Sequence, residues 1–186
     1  MNHLGTKVLE TERLLLRPFT MDDAPAMFVN WATDPAVTKY LTWQPHADLD
    51  ATKAILKDWV SSYEKEDYYH WAIVLKSLGE PVGSIGTVAK RDDIIKMVHM
   101  GYCLGSKWWR QGIMSEALGR LIKFFFEEVG VTRVEARFDT RNVNSGKVMA
   151  KCGMLYEGTM RQDDVNNQGV CDAAYYAILA EDYFKK

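Results

Sequence analysis

The sequence predicts an α/β sandwich, in which a mixed central sheet of about seven strands is covered by helices on both faces. Three observations carry this prediction. Short apolar runs bounded by turn residues recur before residue 105, one long stretch at Ser115 to Glu128 is apolar at helical spacing, and strand and helix patterns alternate after it. Strand, helix, strand, helix, strand in succession implies a right-handed crossover between parallel neighbours.

Taken in order, Leu14 to Phe19 (LLLRPF) reads as a first strand closed by Pro18. Asp22 and Asp23 can cap a helix carrying Ala26, Met27, Val29 and Trp31, which Asp34-Pro35 ends. A second helix spans Asp50 to about Glu64, where Ile55, Leu56, Trp59 and Val60 recur at helical spacing. Strands follow at Tyr69 to Leu75, Pro81 to Ala89 and Lys96 to Leu104, separated by the turn signals Leu78-Gly79-Glu80 and Arg91-Asp92-Asp93. In the long helix Leu118, Leu121, Ile122 and Phe125 fall at i, i+3, i+4 and i+7, and Gly130 stops it. Arg133 to Phe138 is a strand, Ser145 to Lys151 a short helix ended by Gly153, and two last strands cover about Met154 to Met160 and Cys171 to Leu179.

Composition removes several classes of function. The chain has 186 residues, a length that fits one domain able to bury roughly 70% of its unfolded surface. With 47% hydrophobic and 26% charged residues it groups with ordinary globular proteins, not with disordered ones. A net charge of -2 argues against a broad basic surface for nucleic acid. The three cysteines, Cys103, Cys152 and Cys171, form no CxxC, so neither a disulfide framework nor a zinc site is expected, and no metal. They read as small buried hydrophobes in a reducing compartment. No stretch approaches the roughly 20 apolar residues that span a bilayer, and the start of the chain carries no signal-peptide pattern, so the expected location is cytoplasmic and away from membranes.

The stretch richest in chemistry runs from Gly101-Tyr102-Cys103-Leu104 through Ser106 to Met114 (SKWWRQGIM) into Ser115-Glu116-Ala117 at the start of the long helix. A strand that feeds a tight loop and a helix N-terminus offers unpaired backbone N–H groups and partial positive charge, a setting for phosphate or pyrophosphate. Gly112 permits the close approach and Arg110 adds a cation.

At this point the sequence resembles the GNAT superfamily of N-acetyltransferases, and within it the RimJ/RimL group. The hexad Trp109-Arg110-Gln111-Gly112-Ile113-Met114 stands where that superfamily carries Q/R-x-x-G-x-G/A, departing from it at Trp109 and Met114. Thr11-Glu12-Arg13-Leu14 to Arg17-Pro18, Asn142-Val143-Asn144-Ser145 with Lys151-Cys152-Gly153-Met154, and Glu157-Gly158 with Arg161 resemble further elements of the group in the same order. The resemblance implies the GNAT fold, with the fourth and fifth strands splayed apart, and acetyl-CoA as co-substrate. It implies that the pantetheine arm runs along Tyr102, Cys103 and Leu104, and that the pyrophosphate sits on the amides of Arg110, Gln111, Gly112, Ile113, Met114 and Ser115. Asn142 and Ser145 would then meet the arm and the thiol end, and Lys147 a CoA phosphate.

Acetylation of an amine needs a neutral nucleophile, a polarised thioester carbonyl and a proton for the departing thiolate. Similar proteins carry a proposed carboxylate base before this strand; here His99 stands in its place, and imidazole is chemically adequate for the task. Ser145 matches the serine that hydrogen-bonds the departing sulfur, with Tyr102, Tyr156 and Asp172 of lower rank, while Ser145 as a helix N-cap is the bland reading beside it. Trp108, Trp109 and the aromatics from Trp31 to Trp71 read first as core. The implied acceptor is a protein or peptide N-terminal α-amine, attacked directly in a ternary complex. A small amine such as an aminoglycoside, polyamine or amino acid is the second reading, and a non-catalytic CoA-binding module the third. Relatives of this type often form homodimers, which is the expectation here.

Overall fold

The computed structural model describes residues 1–88 and 94–185. Its strands are β1 (Leu9–Glu10), β2 (Leu14–Arg17), β3 (His70–Leu75), β4 (Glu80–Thr87), β5 (Met97–Leu104), β6 (Arg133–Asp139), β7 (Leu155–Asn166) and β8 (Gly169–Leu179). They form one eight-stranded sheet in the order β1-β2-β3-β4-β5-β6-β8-β7. The count of about seven rises to eight because Leu9–Glu10 adds a two-residue edge, too short for any pattern to mark. The end of the strand expected to reach Ala89, and the turn signal at Arg91-Asp92-Asp93, lie outside the described residues.

Alternation along β3 shows why helices must cover both faces. Trp71 and Ile73 point into one apolar cluster with Leu14, Leu16, Leu118, Leu121 and Phe124. Ala72 and Val74 point the other way, into a second cluster with Phe19, Met27, Trp31 and Leu56. The first cluster is closed by α4 (Ile113–Phe124), which runs on through a wider turn at Phe125–Val129, and by α5 (Val143–Lys151). The second is closed by α1 (Ala24–Met27), extended by the wider turn Phe28–Ala32, and by α3 (Leu49–Ser62). Between these last two lies α2 (Pro35–Thr38): Asp34 accepts from the Ala36 N–H as its N-cap, so Asp34-Pro35 both closes one helix and opens the next. A short α6 (Ala180–Phe184) follows β8.

The sheet is antiparallel except where β6 lies parallel to β5, and there the pairing is brief. It runs from Met97↔Arg133 to Met100↔Ala136 and stops. Beyond it β5 stays with β4 (Tyr102↔Ile85, Cys103↔Ser84, Leu104↔Gly83), while β6 continues on β8 (Phe138↔Ala174, Asp139↔Ala173). The two strands part, as the resemblance implied, leaving the edge of β5 from Gly101 to Leu104 open toward α5.

The last two strands are longer than the sequence pattern suggested. β7 has an almost wholly exposed edge face and two irregularities in register, between Tyr156 and Gly158 and between Met160 and Asp164. Neither an apolar alternation nor a regular spacing is available to be read there.

Candidate active site

A cleft of about 580 Å³ opens where β5 and β6 part. Its floor is the free edge of β5, with Tyr102, Cys103 and Leu104. One end is the loop and first turn of α4, with Arg110, Gly112, Ile113, Met114 and Ser115. The far wall is the start of α5, with Asn142, Ser145 and Lys147, and the facing wall is the segment after α2, with Lys39, Tyr40 and Leu41. The sequence had placed eleven of these residues at the site from three separate stretches of chain, and the fold gathers them around one cavity.

The loop into α4 is shaped by two left-handed residues, Arg110 at φ +61 and Gly112 at φ +77. Among the described residues the backbone N–H groups of Arg110 to Ser115 find no acceptor, and Glu116 N–H is the first to close onto the helix, through the Gly112 carbonyl at 3.0 Å. A Cβ on Gly112 would lie 3.5 Å from Arg13 Nη2 and 3.8 Å from Lys151 Nζ, so two cations flank the turn. Neither cation was singled out as a phosphate ligand in the sequence. Arg13 lies 98 residues before Gln111, whose carbonyl it binds at 3.0 Å.

Glu116, in the first turn of α4, is charge-paired in place. It accepts from Thr11 Oγ1 at 2.5 Å and from the Arg13 backbone N–H at 3.0 Å, and pairs with the Arg13 guanidinium at 2.6 Å. Burial pushes its carboxyl up, but the bonds from Thr11 and Arg13 outweigh burial and hold it below the usual carboxylate range.

At the other end of the cleft, Tyr102 Oη lies 2.9 Å from Ser145 Oγ and 3.2 Å from the Ser145 carbonyl oxygen. Burial pushes the Tyr102 phenol well up, so it stays a proton donor through the physiological range. Ser145 is not a helix N-cap: Asn142 holds that position, and Ser145 is the third residue of α5, its N–H donating to the Asn142 carbonyl at 2.9 Å. Its hydroxyl is thereby left for Tyr102 and the cleft.

Two predicted residues do not line the cavity. Gln111 turns outward and its side chain donates to the Lys107 carbonyl at 3.0 Å, although its backbone belongs to the loop. His99 is 3% exposed on the face of β5 opposite the core residues Val98 and Met100, and its Nδ1 lies 2.9 Å from Glu135 Oε1. That glutamate also accepts from Arg133 Nε at 2.9 Å. Its carboxyl is held below the usual range, first by the bond from His99 and also by the one from Arg133, against the opposing effect of burial.

The charge of the cleft is one-sided. Lys39, Arg110, Lys147 and Lys151 line it without a carboxylate partner among the described residues, Arg141 lines it while chelating Asp139, and no Asp or Glu is among the lining residues. In a chain of net charge -2 this is a local concentration of positive potential, suited to a polyanion.

The model of a GNAT acetyltransferase domain matches residues 13–155. The chain belongs to the GNAT family. The match takes in the loop before α4, the parted strands and α5, the elements that bound the cleft just described. An uncharacterised N-acetyltransferase of Bacillus subtilis, YoaA, is 28% identical over 92% of this chain and 96% of its own length. The [ribosomal protein uS5]-alanine N-acetyltransferase of Escherichia coli is 33% identical over a shorter stretch, 32% of this chain and 31% of that enzyme. Among solved structures, a GNAT-family acetyltransferase from Bacillus anthracis superposes with a TM-score of 0.81 at 25% identity, covering 94% of this chain and 99% of that one.

Burial holds the three cysteines of this GNAT enzyme away from the thiolate form. Burial pushes all three thiols up, Cys152 to about 11, and Cys152 Sγ donates to the Ser115 carbonyl at 3.2 Å. Trp108 is buried as expected of a core aromatic while also bordering the cleft, and Trp109 lies on the cleft with its indole N–H donating to the Leu104 carbonyl at 2.7 Å, at the end of the open edge. Among the described residues no three His, Cys, Asp or Glu side chains are grouped as metal ligands, and no helix is long and apolar enough to cross a membrane.

Proposed function

We propose that this enzyme transfers an acetyl group from acetyl-CoA to a primary amine, the acceptor being the N-terminal α-amine of a protein or peptide. The observation that carries the reading is the charge of the cleft: its unpaired cations and free amides match a ligand bearing a diphosphate and a further phosphate, and acetyl-CoA is such a ligand. The same one-sided charge speaks against polyamines and aminoglycosides, since a polycation would meet Lys39, Arg110, Lys147 and Lys151 with no carboxylate to pair. Solved GNAT neighbours with acetyl-CoA and AMP, and with coenzyme A, add support for the donor. A ribosomal-protein type of acceptor draws support from the uS5-alanine enzyme, at the level of analogy.

In this reading the amides of Arg110 to Ser115 grip the diphosphate, with Lys147 and Lys151 beside them, and the open edge of β5 hydrogen-bonds the pantetheine arm. The bound thioester supplies an activated carbonyl. The acceptor nitrogen forms the new C–N bond as the C–S bond breaks, and the departing sulfur takes its proton from the Ser145–Tyr102 hydroxyl pair. An α-amine with a reference pKa of about 7.7 to 8.0 is already neutral in roughly a tenth of molecules at pH 7, so the base has little to do. His99, which does not line the cleft, acts as that base through an intervening water. The elevated cysteine thiols offer no acyl carrier, which favours direct transfer over a covalent relay.

Incubating the protein with acetyl-CoA and a panel of peptides starting with Ser, Ala or Met, together with polyamines and aminoglycosides, and following thiol release tests this. Turnover on peptides is the expected result. Turnover confined to the polycations overturns the acceptor assignment, and tight acetyl-CoA binding with no turnover on any amine makes the chain a binding module.

A further inference from the structure

The wall of the cleft that faces Ser145 is the segment following α2, and between Lys39 and Asp48 it contains no regular helix or strand. Local bonds hold part of it: Leu41 N–H donates to the Thr38 carbonyl at 2.9 Å and His46 N–H to the Ala32 carbonyl at 2.9 Å, which leaves other carbonyls of an irregular stretch to find partners elsewhere if Tyr40 and Leu41 are to present a constant surface. Further bonds come from the far end of the sheet. The β7–β8 hairpin closes through Asn167 and Gln168, and Asn167 projects onto this segment. Its backbone N–H donates to the Leu41 carbonyl at 3.0 Å. Its side-chain Nδ2 donates to the Thr38 carbonyl at 2.9 Å and to the Trp43 carbonyl at 2.7 Å, and its Oδ1 accepts from Gln44 Nε2 at 2.7 Å. Both amide protons and the amide oxygen of one side chain are thus used, all on a segment more than 120 residues away in sequence.

The hairpin tip is itself anchored. Asn166 donates to Asp139 Oδ2 at 2.8 Å, and the Asp139 carboxylate is already chelated by Arg141, a residue of the cleft. Gln168 N–H returns to Asn166 Oδ1 at 2.7 Å, closing the turn on itself. The end of β6, the hairpin tip and the wall after α2 are therefore one hydrogen-bonded unit.

We infer that Asn167 is a positioning residue for the amine acceptor, a latch from the hairpin tip that holds Tyr40 and Leu41 as the acceptor wall. The inference rests on the acetyl-transfer reading of the cleft and adds to it a residue outside the cavity that sets acceptor binding. Asparagine is the side chain the site asks for: aspartate has the same shape but lacks both donors, and sets a carboxylate against two carbonyl oxygens. The latch touches neither the loop before α4 nor the Tyr102–Ser145 pair, so it governs acceptor binding without governing acetyl-CoA.

The test compares Asn167→Ala, Asn167→Asp and Gln44→Ala in the full chain. Both Asn167 variants should raise the KM of the acceptor peptide about tenfold or more, with the acetyl-CoA Kd by calorimetry and kcat each within about threefold of wild type. Gln44→Ala, which removes one of the four bonds, should stay within about threefold throughout. An unchanged acceptor KM, or acetyl-CoA affinity falling in step with it, overturns the latch. Amide hydrogen exchange over residues 38–46 reads the latch without any turnover: exchange there should quicken in Asn167→Asp and not in the loop before α4. If wild type acetylates no amine while this exchange difference is present, the transfer reading fails and the latch stands; if the difference is absent, the latch fails whatever the activity.

Discussion

Arg13 Nη2 and Glu116 Oε2 lie 2.6 Å apart, joining the start of β2 to the first turn of α4 across 103 residues of sequence. The pair does two things at once. It fixes the helix whose N-terminal residues line the cleft, and it cancels a carboxylate close to that turn while leaving the guanidinium beside Gly112. Arg13→Ala should therefore free a negative charge at the phosphate end and raise the KM for acetyl-CoA about tenfold with little change in kcat. Kinetics at saturating acceptor read this directly; an unchanged KM removes Arg13 from the cofactor site.

The same contact gives a pH dependence with a definite sign. Glu116 is held below its ordinary value of 4.5, so its contribution to stability is present above that value and lost as the pH falls through the lower folded-state value. Urea unfolding of wild type and Glu116→Gln between about pH 3 and pH 7 should show the largest gap near neutrality, narrowing on acidification. A gap that widens in acid contradicts the pairing.

Gly112 turns the chain at φ +77, a conformation that costs a side-chain-bearing residue about 1 kcal/mol, and its open side faces Arg13 and Lys151. Gly112→Ala should lower stability by about that amount and weaken acetyl-CoA binding further, because the amides of the loop shift. Lys151→Glu should weaken acetyl-CoA about tenfold and flatten its salt dependence, with the melting temperature nearly unchanged. Calorimetry across a salt series separates the two effects, and equal salt slopes for wild type and Lys151→Glu would count against a phosphate contact.

Much of this arrangement could be read from the sequence wherever one physical signal dominated. α4 announced itself because Leu118, Leu121 and Ile122 repeat at helical spacing on a face that is buried in full. The loop before it was legible through Gly112, since only glycine sits easily at that turn. What could not be read were the pairings that only the fold creates. Arg13 and Lys151 stood only as members of the motifs that carry the resemblance, with no phosphate role, and Asn167 was not singled out; each gains its role from a partner remote in the chain. β7 was undercalled for another reason: both of its irregularities and its exposed edge erase the period-2 signal by which strands are recognised. His99 shows the reverse case, a residue picked by its place in a motif whose side chain then turned out to face Glu135 and not the cavity.

Ser145 and Tyr102 share one hydrogen bond at 2.9 Å, so their contributions to proton delivery should not add. Ser145→Ala and Tyr102→Phe are each expected to lower kcat by roughly 10- to 100-fold with acetyl-CoA Kd within a few-fold, and the double variant should be little worse than the poorer single one. Additive losses would mean that the two hydroxyls act separately, and a pure KM effect would make them binding groups only.

His99 offers the sharpest test of the proton path. Glu135, its carboxyl held below the usual range, can only accept, so in the neutral tautomer that this contact selects His99 carries its proton on Nδ1 and its lone pair on Nε2. An imidazole fixed in this tautomer can take a proton from the amine through an intervening water, and Glu135 is then its positioning residue. His99→Ala should lower kcat about tenfold or more, while leaving acetyl-CoA affinity within about threefold. Glu135→Gln should cost kcat less than His99→Ala and add little to it in the double variant, since it acts through the same ring. If kcat survives both substitutions, the α-amine enters the reaction already neutral, and the pair of His99 and Glu135 is a structural contact of the sheet.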